Sequence, residues 1–145
     1  MRSIASAVEI AASAERVWEV LERTSEYPAW NPFVRRLEGR LAVGDRIRVT
    51  LALEGRRPMT FRPTVLRAEA PRELRWIGRL GIPGLFDGEH VLRIEPVGPD
   101  RVRFHQEETF RGLLAGLILR SIGASTQRAF DSMNDALRAR AERPP

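Results

Sequence analysis

The chain has 145 residues, 43% of them hydrophobic and 30% charged, which is enough for one folded domain and argues against both disorder and membrane embedding. All 24 basic residues are arginine and 19 residues are acidic, for a net charge of +5; with no lysine, Schiff-base chemistry and a lysine general base are excluded. No cysteine is present, which removes disulfides, a thiolate nucleophile and cysteine-based zinc sites, and two histidines, His90 and His105, are too few for an all-protein transition-metal centre.

In chain order, residues 3–10 predict a first strand. Ser13 is placed to cap a helix with Glu15 in its first turn and an apolar stripe of Val17, Trp18, Val20 and Leu21 ending near Thr24. Glu9, Glu15 and Arg16 interrupt the apolar run a secretory signal would need, so the expected compartment is the cytoplasm. Tyr27 to Phe33, which contains Pro28 and Pro32, predicts a turn or one short helical turn leading into a strand.

Period-two alternation then runs through 45–54, 59–69, 72–80, 86–97 and 101–111, the first of these placing Ile47, Val49, Leu51 and Leu53 on one face. From Leu113 to Arg140 the period becomes helical, with Leu119, Ile122, Thr126, Phe130, Met133 and Leu137 in one stripe of a helix about 42 Å long. The longest apolar run, Leu113 to Leu119, is too short to cross a bilayer, so no stable membrane insertion is expected. Residues 1–140 are expected to form a single domain and 141–145 a frayed tail. The fold class is α+β: a curved antiparallel sheet of about seven strands wrapped around the long C-terminal helix, with two short helices after the first strand.

This element order, together with Val17-Trp18, Tyr27-Pro-Ala-Trp30-Asn31-Pro32-Phe33, Glu73-Leu-Arg-Trp76, Gly84-Leu-Phe-Asp-Gly-Glu-His90 and Glu108-Thr-Phe-Arg-Gly112, resembles the START-like or helix-grip superfamily. That superfamily is also called SRPBCC, or polyketide cyclase/dehydrase and lipid transport. The resemblance spans nearly the whole chain and lies nearest to bacterial single-domain subfamilies without an assigned ligand. It implies a cavity between sheet and C-terminal helix that takes a hydrophobic or amphipathic small molecule, with no cofactor and no metal. Gly88-Glu89-His90-Val91-Leu92 also resembles the latch of plant abscisic-acid receptors, but the lysine which that family uses for its ligand's carboxylate has no counterpart here.

Alternation alone sets the register of the last hairpin. A three-residue loop at 98–100 pairs Val97 with Arg101 and sets Ile94 opposite Phe104, Leu92 opposite Gln106 and His90 opposite Glu108. The outer face then carries the opposite-charge pairs Glu95–Arg103 and Asp87–Arg111. If the preceding hairpin turns through Ile82-Pro83-Gly84, Trp76 lies beside His90. His90, Gln106 and Glu108 therefore intrude on a face that should be apolar, where each would cost about 1 to 3 kcal/mol unless bonded. Three readings stay open: a pair that ties two strands together, a ligand anchor, or an acid/base pair, in which case His90 and Glu108 are the candidate catalytic residues. The expected lining is Trp30, Phe33, Leu51, Leu53, Phe61, Val65, Trp76, His90, Leu92, Phe104, Gln106, Glu108, Phe110, Ile118 and Ile122, with Trp30 and Phe33 either lining the cavity or closing its end. Trp18 and Phe130 read as core, and His105 as a solvated outer-face residue beside Arg103 and Glu107.

Residues 78–88 hold four glycines and one proline, the composition of a gate over the cavity mouth or of a hairpin loop with a bulge. Arginines interleaved with acids, as in Arg93 with Glu95, argue against nucleic acid. Motifs of classical hydrolases, kinases and dehydrogenases are missing. The expected partner is a small hydrophobic ligand bound by a carrier or sensor, as monomer or homodimer. The alternatives are a cofactor-independent polyketide cyclase/dehydratase-like enzyme and a partner-binding module resembling stress-response chaperone activators.

Overall fold

The alternation of the second half of the chain becomes two long antiparallel strands, β7 (Asp87–Gly98) and β8 (Arg101–Arg111), in the computed structural model, which describes residues 2–144. They form the centre of a five-stranded sheet with β1 (Arg2–Ile10), β6 (Glu73–Arg79) and β5 (Thr64–Glu69), in the order β1-β8-β7-β6-β5. Between β1 and the next strand come α1 (Ala14–Glu22), a 3-10 turn at Thr24–Glu26 and α2 (Tyr27–Trp30). Ser13 caps α1 as expected, its side chain accepting from the Arg16 backbone N–H.

Two of the expected long strands are each divided between two sheets. A separate three-stranded sheet, β2-β3-β4, consists of β2 (Val34–Glu38), β3 (Arg48–Leu51) and β4 (Met59–Phe61). The expected strand 59–69 breaks at Arg62-Pro63, because proline has no N–H to give to a ladder; Met59–Phe61 pairs with β3, while Thr64–Glu69 pairs with β6. The expected strand 45–54 also divides. Its start bonds to β5 through Val65 N–H to Asp45 O, Gly44 N–H to Val65 O and Ile47 N–H to Pro63 O, and its middle becomes β3. The described residues form eight strands where about seven were expected.

The β7–β8 register agrees with the expectation at every inner pair: His90 opposite Glu108, Leu92 opposite Gln106 and Ile94 opposite Phe104. The turn itself differs. Gly98, not Val97, pairs with Arg101, and an irregularity between Pro96 and Gly98 absorbs the extra residue. A tighter turn plus a bulge has the same count as a longer loop, so the register beyond it is unchanged.

The long helix α3 (Ala115–Ala141) packs across β1 and β8 and against α1. Phe130, Met133 and Leu137 on its inner stripe are fully buried with Ile10, Val17, Leu21, Tyr27, Leu92 and Phe104. Residue 141, expected in a frayed tail, belongs to the helix. Ala141 is the last helical residue and is buried, and Arg16 binds the carbonyls of Arg140, Ala141 and Arg143, which the end of a helix leaves unpaired. Residue 145 lies outside the described residues. No helix among the described residues is long and apolar enough to cross a membrane.

Candidate functional site

Side chains two apart on neighbouring strands converge on one place. Trp76 and Gly78 on β6, Gly88 and His90 on β7, and Glu108 and Phe110 on β8 all face inward, with Trp76 paired to His90 and His90 to Glu108. Opposite them stand Val49, Leu51 and Leu53 from β3 and its end, Met59 and Phe61 from β4, and Ile122 and Thr126 from α3. Phe33 enters from the segment after α2, where the Asn31 side-chain oxygen accepts from the Phe33 and Val34 backbone N–H groups and so sets the direction of the chain. These residues enclose a cavity of about 90 Å³. Its rim includes Met59 and Leu80, both exposed, so it opens toward solvent between β4 and the loop after β6.

The polar groups are few. Rings of Trp76, Phe130 and Phe33 surround His90, at centroid distances of 5.1, 5.2 and 6.3 Å. This removal from water depresses the imidazole to about 4, against the smaller opposing effect of its bond to Gln106, so the ring is neutral at neutral pH. Its Nε2 lies 3.0 Å from Gln106 Oε1, and its Nδ1 lies 3.6 Å from Glu108 Oε1, too long for a hydrogen bond. Burial pushes the Glu108 carboxyl up to about 8, tempered by water that reaches the cavity, where 17% of the side chain stays accessible. At neutral pH the site therefore holds a neutral carboxylic acid beside a neutral imidazole. Among the described residues the Glu108 carboxyl makes no hydrogen bond; its nearest polar partner is His90. Gly88 makes room for it, since a Cβ there would collide with Glu108 Oε2.

Of the residues the sequence offers for a ligand, Phe33, Leu51, Leu53, Phe61, Trp76, His90, Glu108, Phe110 and Ile122 border the cavity. Six expected residues do not. Leu92, Phe104 and Val65 are fully buried in the hydrophobic core, outside the cavity lining. Trp30 packs edge-on against Tyr27, 5.4 Å away, at the outside of that core. Ile118 lies one turn before Ile122, and α3 meets the cavity only from Ile122 onward. Gln106 stands behind the lining and reaches the cavity only through His90. His105 is not freely solvated: its Nε2 lies 2.9 Å from Glu95 Oε1 and its side chain is 19% exposed.

Val49, Met59, Pro63, Gly78, Arg79, Leu80, Phe86, Gly88 and Thr126 line the cavity without having been expected there. Four of these carried a signal. Val49 shares the alternating face of Leu51, Gly78 and Gly88 keep the parity of Trp76 and His90, and Thr126 lies on the α3 stripe. No group of three or more metal-ligating side chains occurs among the described residues.

A family model described as polyketide cyclase/dehydrase and lipid transport matches residues 1–142. No curated protein matches the sequence. Among solved structures, the chain is similar to the Zhui aromatase/cyclase from Streptomyces sp. R1128, with a TM-score of 0.79 and 20% identity over 98% of this chain and 94% of that one. It is also similar to norcoclaurine synthase from Thalictrum flavum, at 0.74 and 17% over 99% and 95%. A START superfamily protein from Mycobacterium smegmatis aligns at 0.70 and 22% over 97% of each chain. At these identities the shared property is the fold.

Proposed function

Because this chain belongs to the polyketide cyclase/dehydrase and lipid-transport family, we propose that it binds a small apolar molecule bearing a carbonyl or hydroxyl group, as carrier or sensor. The observation that carries this reading is the Glu108 carboxyl, held neutral, without a hydrogen bond among the described residues, and facing a mostly apolar cavity whose other polar borders are Arg79, His90 and Thr126. A carboxyl with 17% of its side chain accessible has only water to bond to when the cavity is empty, and a ligand oxygen would replace that water. The volume sets the scale of the occupant. An engineered apolar cavity of about 150 Å³ takes benzene, so one of about 90 Å³ suits a short chain, or a single ring that enters through the open mouth and is only partly enclosed.

Native mass spectrometry and solvent extraction of the purified protein test this directly. A retained small molecule is expected, with Glu108→Ala releasing it and Trp76 fluorescence responding when it is returned. A cavity empty in every preparation, and no Trp76 response to phenol or small aromatic ketones, would overturn the reading.

A second reading has its own support, the opposed displacement of the two groups. Glu108 keeps a proton to give and His90 keeps a lone pair to receive one, 3.6 Å apart. In such a reaction His90 Nδ1 takes a proton from the carbon beside a carbonyl. The C–H electron pair forms the carbon–carbon double bond, and the carbonyl π pair takes the proton of Glu108 to give the enol. Cyclisation or loss of water follows from such an enol. Turnover of a short polyketide mimic, abolished in both His90→Ala and Glu108→Gln, is the expected result; unchanged turnover in both variants would remove this chemistry.

A further inference from the structure

A continuous line of hydrogen bonds runs from the cavity to the protein surface. His90 Nε2 lies 3.0 Å from Gln106 Oε1, Gln106 Nε2 2.8 Å from Asn134 Oδ1, Asn134 Nδ2 3.0 Å from Ser6 Oγ, and Ser6 Oγ 2.5 Å from Asp131 Oδ1. The line passes from β7 to β8, crosses to α3, touches β1 and ends on α3. Gln106 and Asn134 are buried, while Asp131 is exposed.

The direction of every bond follows from the last one. An ionised carboxylate only accepts, and a hydroxyl has one proton to give, so Ser6 spends that proton on Asp131. Ser6 Oγ then offers only lone pairs to Asn134, which must present its NH₂ group. The Asn134 oxygen therefore faces Gln106, which must present its own NH₂ group in turn. This leaves the Gln106 oxygen facing His90 Nε2, which must carry the proton. A neutral imidazole with hydrogen on Nε2 has a bare lone pair on Nδ1, the atom that faces Glu108. Reversing any one amide would set two NH₂ groups or two oxygens against each other inside the core.

We propose that Asp131, acting through Ser6, Asn134 and Gln106, fixes His90 in its Nε2–H tautomer and so makes Nδ1 the hydrogen-bond acceptor that the cavity presents to its ligand. Asp131, Ser6, Asn134 and Gln106 are positioning residues: they touch no part of the cavity, and they determine what His90 offers there. The tautomer rests on the bond directions alone, while its use by a ligand rests on the binding function proposed above. Such a site selects an occupant with an O–H or N–H to give, such as a phenol or an enol, over an apolar molecule of the same size.

Long-range nitrogen–proton NMR of the imidazole rings tests the tautomer, and His105→Gln leaves one ring to observe. At neutral pH the expected spectrum has Nε2 protonated and Nδ1 at the shift of an unprotonated ring nitrogen. Asp131→Ala, a surface change, is expected to replace this single form by a mixture, and Ser6→Ala to do the same. Both are repeated with Glu108→Ala, so that the neutral acid does not itself hold Nδ1. A ring protonated on Nδ1 in the parent protein, or a single Nε2–H form that persists in all these variants, would overturn the proposal. For ligand use the probes are phenol and benzene. Asp131→Ala is expected to weaken phenol about twofold, the factor set by an even mixture in which half the rings still present a bare Nδ1, and to leave benzene unchanged. An equal loss for both probes would overturn the assignment of Nδ1 as the acceptor. If neither probe binds the parent protein while the tautomer is as stated, the binding function fails and the positioning network stands.

Discussion

Gly88 and Glu108 depend on each other more closely than any other two residues of the site. The glycine leaves the volume that the carboxyl fills, and the atom a Cβ would strike is the tip of a side chain, not backbone. Gly88→Ala is therefore expected to leave the fold intact, with a melting temperature close to the parent's, and to turn the Glu108 carboxyl out toward water. The checkable sign is the titration of that carboxyl by carbon NMR: it should fall from about 8 toward the ordinary 4.5. An unmoved titration would mean the carboxyl does not need the space. At this scale His90 and Glu108 were legible because two polar residues break an apolar alternation. Gly88 was legible only by its parity with His90, since an absent side chain leaves no mark in a hydrophobic pattern. The line behind His90 was legible only as far as Gln106, because Ser6, Asn134 and Asp131 come from segments whose alignment no local period fixes.

The loop from Leu80 to Phe86 is anchored to the start of α3. Leu113 and Leu114 donate their backbone N–H groups to Gly84 O and Leu85 O, and Gly112, with φ +121°, turns the chain so that they can. A Cβ at Gly112 would lie 2.6 Å from the Leu85 backbone carbon, a contact that only backbone movement relieves. Gly112→Ala is thus expected to cost about 2 kcal/mol or more and to lower the melting temperature by about 5 °C. Calorimetry showing less than a degree of change would mean this junction carries no strain. The sequence showed these glycines as a possible gate but not what they bind, because the anchor is backbone to backbone. Element types read well where the period was long, as in α3, β7 and β8. They failed at Pro63 and at residues 44–47, where one alternating run serves two sheets: alternation tells which face a side chain takes, not which neighbour its backbone chooses.

For the whole molecule, the two buried groups impose opposite pH dependences. His90 is lowered from 6.5 to about 4, so its contribution to stability is present above pH 6.5 and lost as pH falls toward 4. Glu108 is raised from 4.5 to about 8, so its contribution is present below pH 4.5 and lost as pH rises toward 8. Between 4.5 and 6.5 the two slopes cancel, and above 6.5 only that of Glu108 remains. Denaturant unfolding is expected to show the parent losing about 2 kcal/mol between pH 6.5 and 8 relative to Glu108→Gln. Parallel curves for the two proteins would mean that Glu108 is ionised in the fold.

The seam between the two sheets has a consequence for how anything gets in or out. Beyond one isolated bridge from Arg46 to Thr64, the described backbone bonds across it come from residues 44–47, while β2, β3 and β4 are short, and β3 and β4 form one wall of the cavity. That small sheet is a leaf on a narrow backbone spine, held otherwise by Val34, Leu37 and Val49 in the core, so swinging it out unpacks those side chains while β7 and β8 stay shut. Amide hydrogens of 34–38 and 48–51 should exchange with deuterium well before those of the central hairpin, in a single cooperative burst. Uptake of an occupant would then level off at high concentration, its ceiling set by the breathing of the leaf.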